Sequence, residues 1–115
     1  MKRGEIYTAR LEPVEGSEQG GTRPVIIVSR DAINLYSPVI LAVPCTTYRP
    51  NKRVFPTQVL IKKANGRLDK DSIAMADQVR VLAKSRLIKL LGNLSEIKLK
   101  ELNRALAIAL DISNT

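Results

Sequence analysis

The sequence predicts one mainly β domain over residues 1–115, a small and strongly bent antiparallel β-barrel with short helices and a C-terminal α-helix. Two observations support this fold class. Short apolar runs, either alternating or rich in β-branched residues, recur over residues 4–82, and Gly, Pro and Asn separate them. Only residues 95–110 carry leucines at helical spacing. A chain of 115 residues is long enough to bury one core, so a second domain is not expected.

The first half of the chain contains three predicted strands. The continuous run from Val25 to Val28 is β-branched throughout, which is typical of a strand covered on both faces. A later apolar run is expected to end at Pro44, because proline lacks the N–H that a strand ladder needs. The predicted elements are strands over residues 4–11, 24–29 and 39–43, a loop over 12–23 and a single helical turn within 31–37.

The second half contains one irregular strand, predicted over residues 72–82. Its apolar parity, which includes Ile73 and Val79, also carries Asp77. Either Asp77 is buried with a cationic or amide partner, or a bulge near it shifts the alternation. The other predicted elements are a basic loop over residues 45–55, a strand over 57–61 that Pro56 opens and a turn at Asn65-Gly66.

The C-terminal segment is predicted to be an amphipathic helix. Ser95 is a natural N-cap, and Leu94 and Leu99 occupy the positions of a hydrophobic staple. Ile97 and Ile108 fall outside the main apolar stripe, where they could serve a partner surface. The leucines expected to bury one helix face are Leu99, Leu102, Leu106 and Leu110.

The composition excludes several classes of site. The chain has one Cys and no His, so a disulfide framework, a His- or Cys-rich zinc site and an imidazole general base are all excluded. No apolar run approaches the roughly 20 residues that a membrane-spanning helix needs, and no signal-peptide core follows the N-terminus. We therefore expect a cytoplasmic protein that needs no cofactor.

The net charge of +8 is unevenly distributed. Residues 1–48 contain five basic and five acidic side chains, whereas residues 49–104 contain fourteen basic and five acidic ones. A surplus of this kind attracts phosphates or an acidic partner. The alternative is a surface that only keeps the protein soluble.

Two segments carry residue types suited to binding an anion. The glycine-rich loop over residues 15–24 allows backbone N–H groups to approach a ligand, and its Arg23 can contact a phosphate in bidentate fashion. Alternatively, the loop is a plain hairpin connection in which Glu18 neutralises Arg23. Thr46 and Thr47 follow a buried strand and can donate to an anion or cap a turn. Cys45 is interpreted as a small apolar residue.

The sequence resembles the MazF/PemK family of toxin endoribonucleases from type II toxin–antitoxin systems. The matching segments occur in the family's order and cover nearly the whole chain. The resemblance implies an SH3-like or CcdB-like β-barrel, a homodimer and metal-independent cleavage of single-stranded RNA. It also implies an acidic, flexible, MazE-like antitoxin that covers the RNA-binding surface. The segments are Gly16-Ser17-Glu18-Gln19-Gly20-Gly21-Thr22-Arg23-Pro24, Ser37-Pro38, Val43-Pro44-Cys45-Thr46-Thr47, Phe55-Pro56-Thr57 and Ala76-Asp77-Gln78-Val79-Arg80.

The resemblance also implies roles for individual residues. Its catalytic arginine falls on Arg23, its catalytic threonine or serine on Thr46, and the glutamate implicated in some members on Glu18. The loop over residues 48–54 corresponds to the one that shapes RNA sequence choice. The candidate substrate-binding residues are Ser17, Gln19, Gly20, Gly21, Thr47, Tyr48, Arg49, Lys52, Arg53, Asp77, Gln78 and Arg80.

A mechanism without histidine can use the ribose 2′-OH of the RNA as the nucleophile. Arg23 and Thr46 would then stabilise the dianionic phosphorane, and Glu18 is the nearby carboxylate that we nominate as base. Neither proton transfer is assigned from the sequence. Two alternatives stay open: a non-enzymatic CcdB-like toxin that binds DNA gyrase, and a non-catalytic RNA-binding module of the small-barrel type.

Overall fold

A computed structural model describes residues 1–13 and 15–112, so the predicted domain end at residue 115 lies outside the described residues. Within these described residues there are seven strands and two α-helices, which confirms the mainly β fold class predicted from the sequence. The strands are β1 (Glu5–Arg10), β2 (Thr22–Ile27), β3 (Val39–Thr47), β4 (Gln58–Ile61), β5 (Ser72–Met75), β6 (Arg80–Ala83) and β7 (Leu87–Asn93). The helices are α1 (Asp31–Tyr36), α2 (Glu96–Leu110) and single 3₁₀ turns at Lys63–Asn65, Ala76–Gln78 and Lys84–Arg86.

The strands form one antiparallel sheet in the order β4-β5-β3-β2-β1-β7, and β6 also pairs with β3. The nine-residue β3 is the centre of the sheet, because it changes partner along its length. Its first part pairs with β6, from Val39 to Ala42, and its last part pairs with β5, from Cys45 to Thr47. This change of partner bends the sheet, which is how so short a chain closes around a core.

The prediction that β3 ends at Pro44 is wrong. The strand continues to Thr47, and Pro44 lies opposite Val25 in the register with β2. On its other side, the pairing with β6 stops at Ala42 and the pairing with β5 starts at Cys45. A proline is tolerated in this gap between partner strands, and residues 45–47 are therefore strand rather than loop.

The core divides into two apolar clusters on the two faces of β2. Val25 and Ile27 belong to one cluster and Ile26 to the other, and all three are fully buried. The continuous β-branched run therefore predicted correctly a strand covered on both faces. Leu102 of α2 packs in the same cluster as Ile26, so the C-terminal helix closes one side of the barrel.

The irregular strand predicted over residues 72–82 is two strands, β5 and β6, separated by the 3₁₀ turn Ala76–Gln78. Asp77 is exposed on this turn, so the alternative with a buried Asp77 is wrong. The interruption changes the phase of the alternation, as the bulge alternative anticipated. It also projects residues 77–80 toward the glycine-rich loop, which becomes important for the site.

Strand β7 was not predicted. Its pairing with β1 shifts register between Ile6 and Tyr7 and again between Thr8 and Ala9. These irregularities remove the period of two by which a strand is recognised, and Ile88 and Leu90 are both exposed. The sheet consequently has one more strand than the sequence pattern indicated, and β7 rather than β1 forms its edge.

Helix α2 begins as predicted, since the Ser95 hydroxyl accepts a hydrogen bond from the Lys98 backbone N–H at 3.3 Å. Leu102 is buried on its inner face. Leu110, expected on the same face, is 54% exposed because it is the last helical residue before a left-handed C-cap at Asp111. Ile97 and Ile108 are exposed, in agreement with the sequence.

Candidate active site

Arg23 and Thr46 meet at the end of the β2–β3 pair. The register that places Val25 opposite Pro44 brings the two side chains to the same point of the sheet. Arg23 Nη1 donates to Thr46 Oγ1 at 3.2 Å, and Arg23 Nε donates to the Gly20 carbonyl at 2.7 Å. Two nitrogens of the guanidinium are thereby fixed, which sets the orientation of its plane. We call these two residues the Arg23–Thr46 centre.

The strand that carries Thr46 packs into the buried core. Thr46 pairs with Ile73 of β5, and the neighbouring Cys45 is 1% exposed within the larger apolar cluster. Burial raises the pKa of the Cys45 thiol to about 12, because a thiolate would lose its solvation there. Cys45 is therefore a neutral apolar residue, as the sequence predicted, and it packs β3 into the core directly beside Thr46.

A cavity of about 490 Å³ opens in front of the centre and contains most of the predicted loop residues. We call this cavity the basic groove. The Arg53 guanidinium lies over the Phe55 ring, 5.1 Å from its centroid, so one cation of the groove is held by an aromatic side chain. Besides the centre, the groove is lined by Gln19, Thr47, Tyr48, Arg49, Lys52, Arg53, Phe55, Gln58, Ile73 and Met75.

A second cavity, of about 400 Å³, adjoins the basic groove at Gln19, whose side chain lines both. The Gln19 backbone N–H donates to Gln78 Oε1 at 2.9 Å, so the glycine-rich loop is tied to the 3₁₀ turn that interrupts the sheet. Arg80 Nη1 donates to the Leu11 carbonyl at 3.5 Å, in the segment that precedes the same loop. This adjoining cavity is lined by Ser17, Glu18, Gln19, Pro44, Asp77, Gln78, Val79 and Arg80.

Glu18 lies in the adjoining cavity and not at the Arg23–Thr46 centre. Its side chain is exposed, and its Oε1 accepts a hydrogen bond from the Glu15 backbone N–H at 2.7 Å. The Arg23 guanidinium contacts a carbonyl and a hydroxyl instead of this carboxylate. The structure therefore does not bring the third predicted catalytic residue to the other two, and the alternative in which Glu18 neutralises Arg23 is wrong.

Two glycines of the loop make hydrogen bonds within the protein. The Gly20 carbonyl accepts from Arg23, while the Gly21 N–H donates to Glu12 Oε1 at 2.8 Å. Gly21 adopts a φ of 73°, a left-handed conformation that favours glycine. The Gly21 amide is thus already engaged within the protein, contrary to the expectation that it would approach a ligand.

Sequence reasoning missed a third cavity, of about 300 Å³, on the other side of the centre. This cavity, which we call the Arg67 cavity, shares Arg23, Thr46 and Thr47 with the basic groove. The basic surplus of residues 49–104 was the only signal pointing toward it. The other residues lining it are Thr8, Thr22, Pro24, Cys45, Arg67, Leu68, Asp69, Lys70, Ser72 and Leu91.

Two further findings concern residues 1–13 and 15–112. Within this part of the chain, no group of three or more His, Cys, Asp or Glu side chains could hold a metal ion. No helix in the same part is both long and apolar enough to cross a membrane.

Comparison with known proteins identifies relatives over nearly the full length. Residues 2–110 match the model of the PemK-like, MazF-like toxins of type II toxin–antitoxin systems. The endoribonuclease MazF of Staphylococcus saprophyticus is 48% identical over 112 residues, which cover 97% of this chain and 92% of the relative.

Solved structures show the same fold. A mycobacterial endoribonuclease in complex with its cognate antitoxin has a TM-score of 0.82 and 30% identity, covering 100% of this chain and 99% of its own. MazF of Deinococcus radiodurans has a TM-score of 0.81 and 26% identity, with 97% of each chain covered. The enzyme class expected from the sequence, an endoribonuclease, is confirmed. The chain belongs to the family of PemK-like, MazF-like toxins of type II toxin–antitoxin systems.

Proposed function

We propose that this toxin cleaves single-stranded RNA without a bound metal, by attack of the ribose 2′-OH on the adjacent phosphate. The observation that carries the proposal is the hydrogen-bonded Arg23–Thr46 pair, whose Nη1–Oγ1 distance is 3.2 Å and which opens onto a basic groove. A guanidinium and a hydroxyl held side by side are suited to a phosphate that gains negative charge.

The reaction requires no external nucleophile. The 2′-oxygen forms a bond to phosphorus, the bond to the 5′-oxygen breaks, and the products are a 2′,3′-cyclic phosphate and a free 5′-OH. One proton leaves the 2′-OH and one is delivered to the 5′-oxygen, so protons balance. Nε and Nη1 of Arg23 are oriented by Gly20 and Thr46, which presents the remaining edge of the guanidinium to the phosphate oxygens without further reorganisation.

In this proposal Glu18 contacts the RNA rather than removing the proton. Its carboxylate is exposed and bonded to the Glu15 amide, and Gln19 lies between it and the basic groove. To act as the base it would have to leave that amide and cross to the centre. A nucleotide beside the scissile phosphate can instead enter the adjoining cavity, where Glu18 and Gln78 offer acceptors to a base edge.

Sequence selectivity is assigned to the residues around the centre. The basic groove supplies phosphate contacts from Arg49, Lys52 and Arg53 and a stacking surface from Tyr48. In the adjoining cavity, Asp77 and Gln78 can contact base edges. The proposed substrate-binding residues are Ser17, Gln19, Gly20, Gly21, Thr47, Tyr48, Arg49, Lys52, Arg53, Asp77, Gln78 and Arg80, of which Gly20 and Gly21 act by positioning the loop.

We further propose that the toxin is a cytoplasmic homodimer inhibited by an acidic antitoxin. A second copy could cover Ile97 and Ile108, which are 73% and 45% exposed, or the exposed Leu41 and Val81 that face each other across β3 and β6. An acidic segment would be attracted by the cations of the basic groove. The similarity to a mycobacterial endoribonuclease that was solved with its cognate antitoxin supports an inhibitor of this kind.

The test uses purified protein, a mixed-sequence RNA and EDTA. Cleavage should persist in EDTA, recur at particular sequences and leave a 2′,3′-cyclic phosphate with a 5′-OH. A single 2′-deoxy substitution at a mapped cleavage position should abolish cleavage there, while binding stays nearly intact because the phosphates remain. Products ending in a 3′-OH, or equal cleavage of the 2′-deoxy strand, would refute the mechanism. RNA that is bound but stays intact would refute it as well.

A further inference from the structure

We infer that the Arg67 cavity is a second phosphate subsite, in which Arg67, assisted by Lys70, binds a backbone phosphate next to the scissile one. The inference rests on the proposed function, because it extends the RNA path from the Arg23–Thr46 centre. The two cavities share Arg23, Thr46 and Thr47, so a strand that crosses the centre from the basic groove arrives at Arg67. The ligand is the phosphodiester backbone of the RNA and not a particular base.

The first supporting observation is the backbone of Arg67. Its φ is 55°, a left-handed conformation that is uncommon for a residue with a Cβ. The preceding Gly66 could adopt this conformation more easily, but its φ is −158°. Gly66 is needed for another reason, since a Cβ there would lie 2.5 Å from Ile6 Cδ1. Packing against Ile6 thus leaves the left-handed position to Arg67, and strain of this kind clusters at functional sites.

The second observation is the close approach of Gly92 to the aliphatic part of the Arg67 side chain. Gly92 of β7 lies against this turn: a Cβ at Gly92 would be 3.0 Å from the Gly66 carbonyl oxygen, 3.2 Å from Arg67 Cβ and 3.4 Å from Arg67 Cδ. The aliphatic stem of Arg67 therefore passes over a glycine on a strand. A stem held in this way loses less freedom when the guanidinium binds an anion than a free surface arginine does.

The third observation is the chemistry of the cavity. Arg23, Arg67 and Lys70 contribute positive charges, and Asp69 contributes the one carboxylate among the lining residues that the structure describes. Neither Arg67 nor Lys70 belongs to the ion pairs found within that part of the chain, which are Lys62–Asp71 and Lys98–Glu101. The remaining polar lining is hydroxyl, a set that can donate hydrogen bonds to phosphate oxygens. These hydroxyl residues are Thr8, Thr22, Thr46, Thr47 and Ser72.

The experiment measures binding of an RNA that carries a 2′-deoxy nucleotide at the mapped cleavage position, by fluorescence anisotropy at several KCl concentrations. We expect Arg67→Ala to weaken binding about three- to tenfold and to reduce the magnitude of the log–log salt slope by about 0.7, the value for one phosphate contact on a single strand. The matched control is Arg104→Ala, because Arg104 is exposed on α2 outside the three cavities. The rate of cleavage at saturating RNA should stay unchanged in Arg104→Ala.

A second variant separates binding from folding. Arg67→Gly removes the same charge while relieving the left-handed backbone, so its thermal midpoint should equal or exceed that of the wild type although RNA binding is still weakened. A set of RNAs in which single phosphates are replaced by neutral methylphosphonates then locates the contact. Neutralising one phosphate beside the cleavage position should weaken the wild type and have no additional effect on Arg67→Gly.

The outcomes distinguish this inference from the proposed function. If the wild type cleaves RNA, but Arg67→Gly and Arg104→Ala have the same affinity and salt slope, the subsite is refuted and the proposed function stands. The subsite is also refuted if every methylphosphonate weakens wild type and Arg67→Gly equally. If the wild type neither binds nor cleaves RNA, both proposals fail.

Discussion

The Arg23–Thr46 centre and the loop over residues 48–57 line the same groove but are built differently. The centre lies on paired strands, and the neighbouring Cys45 is buried in the core. The loop is exposed over most of its length, and few backbone hydrogen bonds hold it. The Tyr48 N–H donates to the Asp71 carbonyl at 2.9 Å, and Gln58 and Phe55 bond to each other at the far end.

This difference indicates how the two tasks are divided. Stabilising a transition state requires donors that are already oriented, and hydrogen bonds from Arg23 to Gly20 and Thr46 provide that orientation. Choosing among RNA sequences requires side chains that adapt, and the exposed cations of the loop can do so. The comparison predicts that changes at the centre affect the rate of cleavage, whereas changes in the loop affect affinity and sequence choice.

The largest effect is expected at the centre. Arg23→Ala and Thr46→Ala should each lower the rate at saturating RNA about 10²–10³-fold, with little loss of affinity, because each removes a preorganised donor. Arg23→Lys should restore little, since an ammonium cannot make the paired contacts of a guanidinium. Single-turnover kinetics and anisotropy measure the two quantities. A change in affinity as large as the change in rate would place both residues in ground-state binding instead.

The next effect tests whether β3 is buried in the core at Cys45, beside Thr46. Because burial raises the pKa of Cys45 from 9.0 to about 12, the folded state holds the thiol proton more tightly than the unfolded state does. Its contribution to stability is therefore complete below pH 9 and is lost as the pH rises toward 12, by about 1.4 kcal/mol per pH unit.

Urea unfolding from pH 8 to pH 11 measures this loss, with Cys45→Ala as the control that cannot titrate. The free energy of unfolding should fall more steeply in the wild type than in Cys45→Ala. Tyr7, whose pKa is raised by burial and by Glu5, titrates in both proteins and so cancels in the comparison. Parallel curves would show that Cys45 is accessible to water and that Thr46 does not rest on a closed core.

The elements that the sequence could predict are those whose own residues carry the signal. Strand β2 and helix α2 were identified because their residues carry local signals, a β-branched run and a capped leucine stripe. The continuation of β3 through Pro44 was missed because it depends on a change of partner strand, which local pattern does not contain. Strand β7 was missed because its bulged pairing with β1 breaks the alternation.

The site residues also differ in how far the sequence could predict them. Arg23 and Thr46 were named from a resemblance, and the β2–β3 register brings them together. Glu18 was named from the same resemblance and because it is near in sequence, yet its carboxylate lies in the adjoining cavity. Arg67 was overlooked because its position depends on Gly92, a distant residue on the unpredicted strand.

The smallest of these effects is expected in the loop. The double variant Lys52→Ala/Arg53→Ala should weaken RNA binding about tenfold and reduce the salt slope by about 1.4, twice the single-strand value for one phosphate. The rate at saturating RNA should not change, because the Arg23–Thr46 hydrogen bond does not involve the loop. Sequencing the cleavage products should reveal altered preferences, since Arg53 also holds Phe55 beside the groove.

The matched control is Lys100→Ala/Arg104→Ala, which removes the same charge from the exposed face of α2. If both doubles weaken binding equally, the loop acts only through the net charge of the protein. If instead the loop double lowers the saturated rate a hundredfold, the loop helps to orient the centre and the division of tasks is wrong. The expected result is an unchanged rate at saturating RNA, together with weaker RNA binding and altered cleavage positions. An adaptable loop beside a rigid centre on paired strands requires this result, because the loop then acts before the chemical step and not within it.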